Sequence, residues 1–595
     1  MNRRAIIIKF IVWFAGLGLA VRLFYVQLID ANYQKAAQDN VVQKIIEYPY
    51  RGLILDRNEN LLVYNTPVFD MMVVPREVVI PDTTRLLQML QMTLEDFTKQ
   101  MDKAKAFSRQ LPSVLITQIP NEHLAAIQED LIDFEGFYIQ PRTVREYTQP
   151  ILSHVLGYVG EISQKQLVND TSRYYRSGDY VGISGIERQY EKDLRGVRGV
   201  SYRLVDVQRV AKGKFRDGAF DTLPEPGKNV QITVDIELQQ YAEKLMAGKV
   251  GSLVALDPKT GEILAFVSAP TYDPSLLSGH KIRDNYGQLE QDSLKPLFNR
   301  ALQAMYPPGS MFKTIQSLVA LQEKEVSPTE QIYCRGDLIG DLAPAGHYDI
   351  KRAVTLSSNN FFFILFKRMI QQNKDPSAFL DSRIGYEKWR TYVDRFGLGH
   401  KLNVDIPNET AGHLPTVDYY DRMYGKSRWK FSNIYSLSIG QGEILVTPLQ
   451  MANLGALLAN RGYFYTPHIV KKVGESTALG FERYDVGIDS AHFQIVLDGM
   501  EQVVSNGSGR RAFVKDLQIC GKTSTVENPG YDHSGFMGFA PKDDPKIAIA
   551  VYVENAGWGG RAAAATAGLL IEKYLTGEVT RKHMEDYVLK GVFHD

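Results

Sequence analysis

The chain is poor in the features that would give it a simple stabilising device or a simple charged partner. Its 595 residues contain two cysteines, Cys334 and Cys520, so a disulfide framework is excluded, and the two thiols read as unrelated. Lysine plus arginine and aspartate plus glutamate each number 68. That balance leaves no basic excess of the kind that phosphate backbones demand, and nucleic acid is excluded as the main partner. Mean hydropathy is −0.21, too polar for a polytopic membrane protein. No internal repeat and no low-complexity tract is visible. What remains is an ordinary globular composition, 44% hydrophobic and 23% charged, with material for more than one domain.

One long apolar run stands at the start. Residues 5–26, AIIIKFIVWFAGLGLAVRLFYV, approach the roughly 20 residues needed to cross a bilayer as a helix. Arg3 and Arg4 precede it, and Lys9 and Arg22 lie near its ends, where cationic stems can snorkel. With no small-x-small cleavage site after the run, an uncleaved anchor is expected rather than a signal peptide. The expected topology is single-pass in the plasma (inner) membrane, with residues 1–4 cytoplasmic and the rest periplasmic or extracellular. The continuation LFYVQLIDANYQKAA reads as an amphipathic helix.

Two blocks follow. In the first, YPYRGLILDRNENLL (48–62) suggests a hairpin turning at Asn58-Glu59-Asn60, and VFDMMVVP (68–75) another strand. PDTTRLLQMLQMTLEDFTKQM (81–101) reads as one helix capped near Thr83 or Thr84. DTLPEPGKN (221–229), with two prolines and a glycine, reads as the linker. In the second block, SLVALDP and EILAFVSAP make a hairpin around a Gly turn. DHSGFMGFAP and KIAIAVYVEN add two strands, and RAAAATAGLLIEKYL closes as a helix. Strands at both ends with helices between predict one α+β domain whose sheet is built from both termini. The stripe Leu449, Ala452, Leu454, Leu457 and Leu458 reads as core packing.

Three short motifs in the second block carry chemistry. In Pro307-Pro308-Gly309-Ser310-Met311-Phe312-Lys313, a helix starting near Ser310 puts Ser310 and Lys313 at i and i+3, in contact on one face. A serine needs a neighbouring base to become a nucleophile. A lysine serves as that base only if burial or a second cation lowers its pKa. Ser357-Ser358-Asn359 precedes a run of phenylalanines and suits either a helix cap or a proton relay with an amide. Cys520-Gly521-Lys522-Thr523-Ser524-Thr525 is a small, hydroxyl-rich strand with one cation, suited to pairing with an extended peptide and holding a carboxylate. Each motif alone recurs by chance. Cys334, Asp337, Asp341 and His347 have spacings that fit no compact metal site, and read as scattered loop residues.

Taken in order, the three motifs resemble the S-x-x-K, S-x-N and K-T-G set of penicillin-binding proteins and class A β-lactamases. NRALQAMYPPGSMFK, GQGEILVTPLQMANLGALLANRG and RGLILDRN resemble the class B penicillin-binding proteins. LSHVLGYVGEIS and GISGIERQYEKDLRGVRG resemble the penicillin-binding protein 2 branch, the elongation transpeptidases. The resemblance runs from the apolar run to about Tyr574.

It implies an α+β chain with an N-terminal transmembrane helix (5–26) and a mixed, β-rich pedestal of dimerisation type (27–222). A serine-β-lactamase-like transpeptidase domain (223–595) follows, with an antiparallel sheet flanked by helices. Ser310 would be the nucleophile toward the penultimate D-Ala of a stem peptide, Lys313 its general base and Ser357 the relay to the leaving amine. Asn359 would orient Lys313 and the donor amide. Lys522 would attract the substrate carboxylate, which Thr523 and Thr525 would bind. The N–H groups of Ser310 and Thr525 would form the oxyanion hole. No metal or cofactor is implied. The implied partners are peptidoglycan stem peptides ending in D-Ala-D-Ala, β-lactams as inhibitors, and a polytopic glycan polymerase of the shape-elongation-division-sporulation type. A D-Ala-D-Ala carboxypeptidase or a catalytically weak penicillin-binding scaffold is the alternative. Two residues depart from the family pattern. Ser524 stands where glycine is usual, so that Ser524→Gly is expected to be tolerated, and Gly535 stands where an aromatic is frequent.

Overall fold

The computed structural model describes residues 3–25, 42–109, 112–119, 121–176, 178–205, 211–279, 282–476 and 480–593. By contact the chain divides into two compact units, 1–52 with 192–228, and 53–191 with 229–595.

In the first unit, Arg3–Phe24 is a 22-residue helix. Among the described residues, no helix is long and apolar enough to cross a membrane. This overturns the expected single-pass anchor and the topology built on it. The physical reason lies in Lys9 and Arg22: the uncharged stretch between them, residues 10–21, is only about 18 Å long at about 1.5 Å per residue, against a hydrocarbon core of about 30 Å. Most of the amphipathic continuation expected after it lies outside the described residues. Elsewhere in this unit, Val42–Glu47 pairs antiparallel with Gly199–Val205, which pairs in turn with Ala211–Lys214. The proline-containing segment expected as a linker is extended rather than loose: Thr222 and Glu225 bridge to Val200 and Val197.

The second unit contains two sheets that matter here. The first runs from Val470–Val473 through Val230–Ile232, Ile54–Leu55 and Leu61–Val73 to Ser113–Ile119, with Phe137–Tyr147 also paired to Leu61–Val73. The hairpin at 58–60 is real. Asp56 accepts hydrogen bonds from the N–H groups of Asn58 and Asn60, both at 2.8 Å, and Glu59 takes φ +67. The single helix expected over 81–101 is two helices, Thr83–Leu90 and Leu94–Phe107. Gln91 turns left-handed at φ 52, and Thr93 caps a new start by accepting from the Asp96 N–H at 3.1 Å. A cap offered inside a leucine-periodic stretch competes with helix continuation and wins here. The first helix is capped by Asp82, one residue before the threonines favoured from sequence.

The second sheet is five-stranded and wholly antiparallel, in the order Ile263–Ala269, Gly251–Leu256, Ile547–Val553, His533–Ala540, Cys520–Val526. Its strands come from both ends of the second block, as the sequence pattern predicts. Every residue of Gly251–Leu256, Ile263–Ala269 and Ile547–Val553 is buried. The cause is cover from helices such as Ile236–Met246 and Ala563–Thr576, whose apolar residues share a core with these strands. Pro448–Ala459 is buried along its whole length and apolar apart from Gln450 and Asn453, as a helix through a core is expected to be. Cys520–Val526 is one of the sheet's two edge strands. One side of its backbone is therefore free of sheet pairing, and that side can hydrogen-bond an extended peptide.

Candidate active site

Gly309–Phe312 forms a single 3₁₀ turn that runs directly into the helix Lys313–Gln322. This turn is held from behind by close backbone packing. The Gly309 N–H donates to the Gly440 carbonyl at 2.8 Å. A Cβ on Gly440 would lie 2.3 Å from the Gly309 carbonyl oxygen, so only glycine permits the approach. The GQG segment noted in the sequence thus acts as a backstop for the turn. Ser310 sits partly exposed at the turn, while Lys313 is fully buried.

The S-x-N segment lies between two helices, Ile350–Leu356 and Asn359–Ile370. The helix-cap reading of this motif is met by one of its two serines. Ser358 is the cap, accepting from the Phe361 N–H at 3.3 Å. Ser357 takes φ 58, a left-handed conformation costly for a residue with a side chain. Such strain persists only where the surroundings enforce it, and here it holds a hydroxyl between two amines. Lys313 Nζ donates to the Ser357 carbonyl at 2.7 Å and to Asn359 Oδ1 at 2.6 Å, and lies 3.2 Å from Ser357 Oγ. Lys522 Nζ, also fully buried, lies 2.9 Å from the same Ser357 Oγ.

Burial sets the electrostatics. It pushes the Lys313 amine well below its ordinary value, the nearby Lys522 pushes it further down, and Asp341 partly opposes both. Burial alone brings Lys522 down to about 7. Both amines therefore lose their protons far more readily than a lysine in water.

Four of the expected residues, Lys313, Ser357, Asn359 and Lys522, come together in this way, and Ser310 stands three residues before Lys313 in the turn that leads into its helix. The two threonines differ. Thr523 is buried and shares a 2.6 Å hydrogen bond with Ser508 Oγ. Thr525 is exposed, and its Oγ1 accepts from the Gly559 N–H at 3.1 Å. A cavity of about 520 Å³ opens beside Pro307 and Val526, with Tyr306, His533 and Glu554 in its wall.

Sequence reading passed Asp341 over as a scattered loop residue. Its carboxylate accepts from Ser358 Oγ at 2.8 Å and from the Asn360 N–H at 2.8 Å. Burial pushes its pKa up, but hydrogen bonds from the Asn360 and Ala343 N–H groups and from Ser358 outweigh that and hold it low. The same loop supplies the Gly340 carbonyl to Asn359 Nδ2 at 2.5 Å and the Ile339 carbonyl to Asn360 Nδ2 at 2.9 Å. This loop straps the S-x-N segment from outside. No periodicity marks it, because its partners lie 17 to 21 residues away along the chain.

A buried, deprotonation-prone amine one helical turn from a serine, beside a second such amine and an open strand edge, is suited to acyl transfer through a covalent serine intermediate. Comparison with known proteins agrees. The model of the penicillin-binding protein transpeptidase domain matches residues 251–572, and that of the penicillin-binding protein dimerisation domain matches 46–232. The chain is 30% identical to the peptidoglycan D,D-transpeptidase MrdA of Acinetobacter baumannii, across 92% of this chain and 84% of the relative. It is 28% identical to the MrdA of Haemophilus influenzae, across 94% and 89%. Among solved structures, it superposes on the Helicobacter pylori penicillin-binding protein PBP2 in its complex with MreC with a TM-score of 0.75 at 25% identity, covering 90% of this chain and 99% of the other. It also superposes on a chain from a peptidoglycan synthase complex that coordinates polymerization and crosslinking, with a TM-score of 0.68 at 26% identity, covering 97% and 99%.

Proposed function

The chain belongs to the class B penicillin-binding proteins, in the PBP2-like branch of peptidoglycan D,D-transpeptidases, and on that premise we propose how its residues divide the reaction. The enzyme cross-links peptidoglycan through a serine transpeptidase domain. In our reading, neutral Lys313 takes the proton of Ser310 Oγ as that oxygen attacks the carbonyl carbon of the penultimate D-Ala. Negative charge develops on the carbonyl oxygen, where the N–H groups of Ser310 and Thr525 receive it. Collapse breaks the peptide bond. The leaving amine takes its proton through Ser357 Oγ, and the terminal D-Ala departs. An amine from a second stem peptide then attacks the acyl-serine ester, forming the cross-link and restoring Ser310.

The single observation that carries this reading is the convergence of Lys313 and Lys522 on Ser357 Oγ, at 3.2 and 2.9 Å. A hydroxyl between two amines with lowered pKa values can pass a proton in either direction. Asn359 holds Lys313 through its Oδ1 and offers its amide group to the donor peptide. Lys522 in its charged form draws the substrate carboxylate toward Thr523 and Thr525. β-Lactams acylate Ser310 because their amide mimics the D-Ala-D-Ala end.

The test is intact-mass analysis of the full chain after β-lactam treatment. One adduct is expected, absent from Ser310→Ala; an adduct surviving that substitution would refute the assignment.

We further assign residues 27–222 to the pedestal and 223–595 to the transpeptidase domain; the family models, matching 46–232 and 251–572, support the order of the two domains. The pedestal's task, in this reading, is contact with elongation partners: a non-catalytic protein of the MreC kind, and a polytopic glycan polymerase whose strand synthesis it couples to cross-linking. The superposed MreC complex and the synthase complex support it. Charge reversal at exposed pedestal positions should lower polymerisation in a reconstituted pair and leave Ser310 acylation unchanged.

A further inference from the structure

Side chains alternate along Cys520–Val526, so Lys522 and Ser524 share one face of the strand. Lys522 reaches Ser357. Ser524, two residues on, reaches the nucleophile turn: its Oγ–H donates to the Pro308 carbonyl at 2.9 Å, and the residue is 1% exposed. The glycine usual at this position could make no such link.

The room for it is built by two glycines. Gly535 is the direct cross-strand partner of Ser524. A Cβ on Gly535 would lie 3.3 Å from both Ser524 Cβ and Met311 Cε, so the aromatic frequent there would press on Ser524 and on the turn together. On the other side, Gly309 has φ +54, and a Cβ on it would stand 2.2 Å from Ser524 Oγ. The two departures noted in the sequence are thus one structural unit. A side chain is gained at 524, and one is absent directly across the ladder.

We propose that Ser524 is a positioning residue for acylation, whose hydroxyl ties the edge strand to the nucleophile turn and so sets the spacing between the Ser310 and Thr525 N–H groups. The proposal rests on the reading of Ser310 as nucleophile and of those two amides as the oxyanion site. It acts through the Pro308 carbonyl, two residues before Ser310, and touches no substrate. Because oxyanion donors act only when correctly placed, a loosened tether should slow the chemical step more than it weakens initial binding. On this proposal Ser524→Gly slows acylation, in contrast to the tolerance expected from sequence.

The experiment is stopped-flow acylation of the full chain by a fluorescent penicillin, resolved into a saturation constant and a limiting first-order rate. Two variants are compared, Ser524→Ala and Ser524→Gly, the latter restoring the residue the fold family ordinarily carries. The limiting rate should fall by about tenfold or more in both, with the saturation constant changed by less than about threefold. Limiting rates within about twofold of the parent in either variant would overturn the proposal. So would loss confined to the fraction of active molecules, which is the signature of impaired folding. Should the parent chain itself carry its adduct elsewhere than Ser310, the underlying assignment fails first, and the mass of the parent adduct separates the two cases.

Discussion

Lys313 and Lys522, drawn from segments more than two hundred residues apart, both reach Ser357 Oγ, the first at 3.2 Å and the second at 2.9 Å. The two buried amines thus share one hydrogen-bonding oxygen. Their surroundings nevertheless push them to different extents. Lys313 feels burial, its neighbour and the opposing Asp341, while Lys522 feels burial alone.

A bell-shaped pH dependence of acylation follows from this arrangement. As pH falls, Lys313 gains a proton and ceases to be a base, which gives the acid limb. As pH rises through about 7, Lys522 loses the charge that draws the substrate carboxylate, which gives the alkaline limb. Lys522→Arg keeps a charge at every accessible pH and should flatten the alkaline limb alone. Rates of acylation by a carboxylate-bearing β-lactam between pH 5 and 10 decide the matter; an alkaline limb unchanged in the arginine variant would contradict it.

Lys313 and Lys522 should also differ in magnitude. Removing the base with Lys313→Met should cost at least about a hundredfold in acylation rate at neutral pH, the usual scale for loss of a general base. Lys522→Arg should cost less. Equal losses in the two variants, measured with the same β-lactam, would show that the roles are not divided as proposed.

Asp341 provides an electrostatic test. Its charge raises the Lys313 pKa against the other two influences, so Asp341→Asn should move the acid limb to lower pH. The same change weakens the acceptor of Ser358 and Asn360 and should lower the plateau rate. A lowered plateau with an unmoved acid limb would reduce Asp341 to a strap without influence on the base.

Within residues 46–232, Arg145 and Glu187 form a buried ion pair, with Nη2 to Oε1 at 2.6 Å and both side chains under 5% exposed. Asn65 accepts a further hydrogen bond from the arginine at 3.0 Å. Glu187→Ala removes a carboxylate bonded to a buried guanidinium and should destabilise the fold by about 3–5 kcal/mol. Thermal or denaturant unfolding would register this, while acylation per folded molecule stays at the parent rate. A loss below about 1 kcal/mol would mean that the surroundings re-solvate Arg145.

Local chemistry along the chain was enough to specify a good deal of this protein. Continuously apolar strands at the two ends of the second block pointed to one sheet from both termini, because strands this apolar must be covered on both faces. Asn58 to Asn60 dictated a turn, and the order of three short motifs pointed to serine acyl transfer. Other features depended on distances that no spacing encodes. The apolar count over 5–26 suggested an anchor, yet the helix that forms, Arg3–Phe24, is not long and apolar enough to cross a membrane. Asp341 became an electrostatic neighbour of Lys313 only when its loop folded back over Ser358 and Asn360. The meaning of Ser524 changed most. In sequence it is an isolated departure from a motif, eleven residues from another at Gly535. The antiparallel ladder sets the two directly across from each other and turns the hydroxyl toward Pro308, because pairing register, not chain separation, decides which side chains share space.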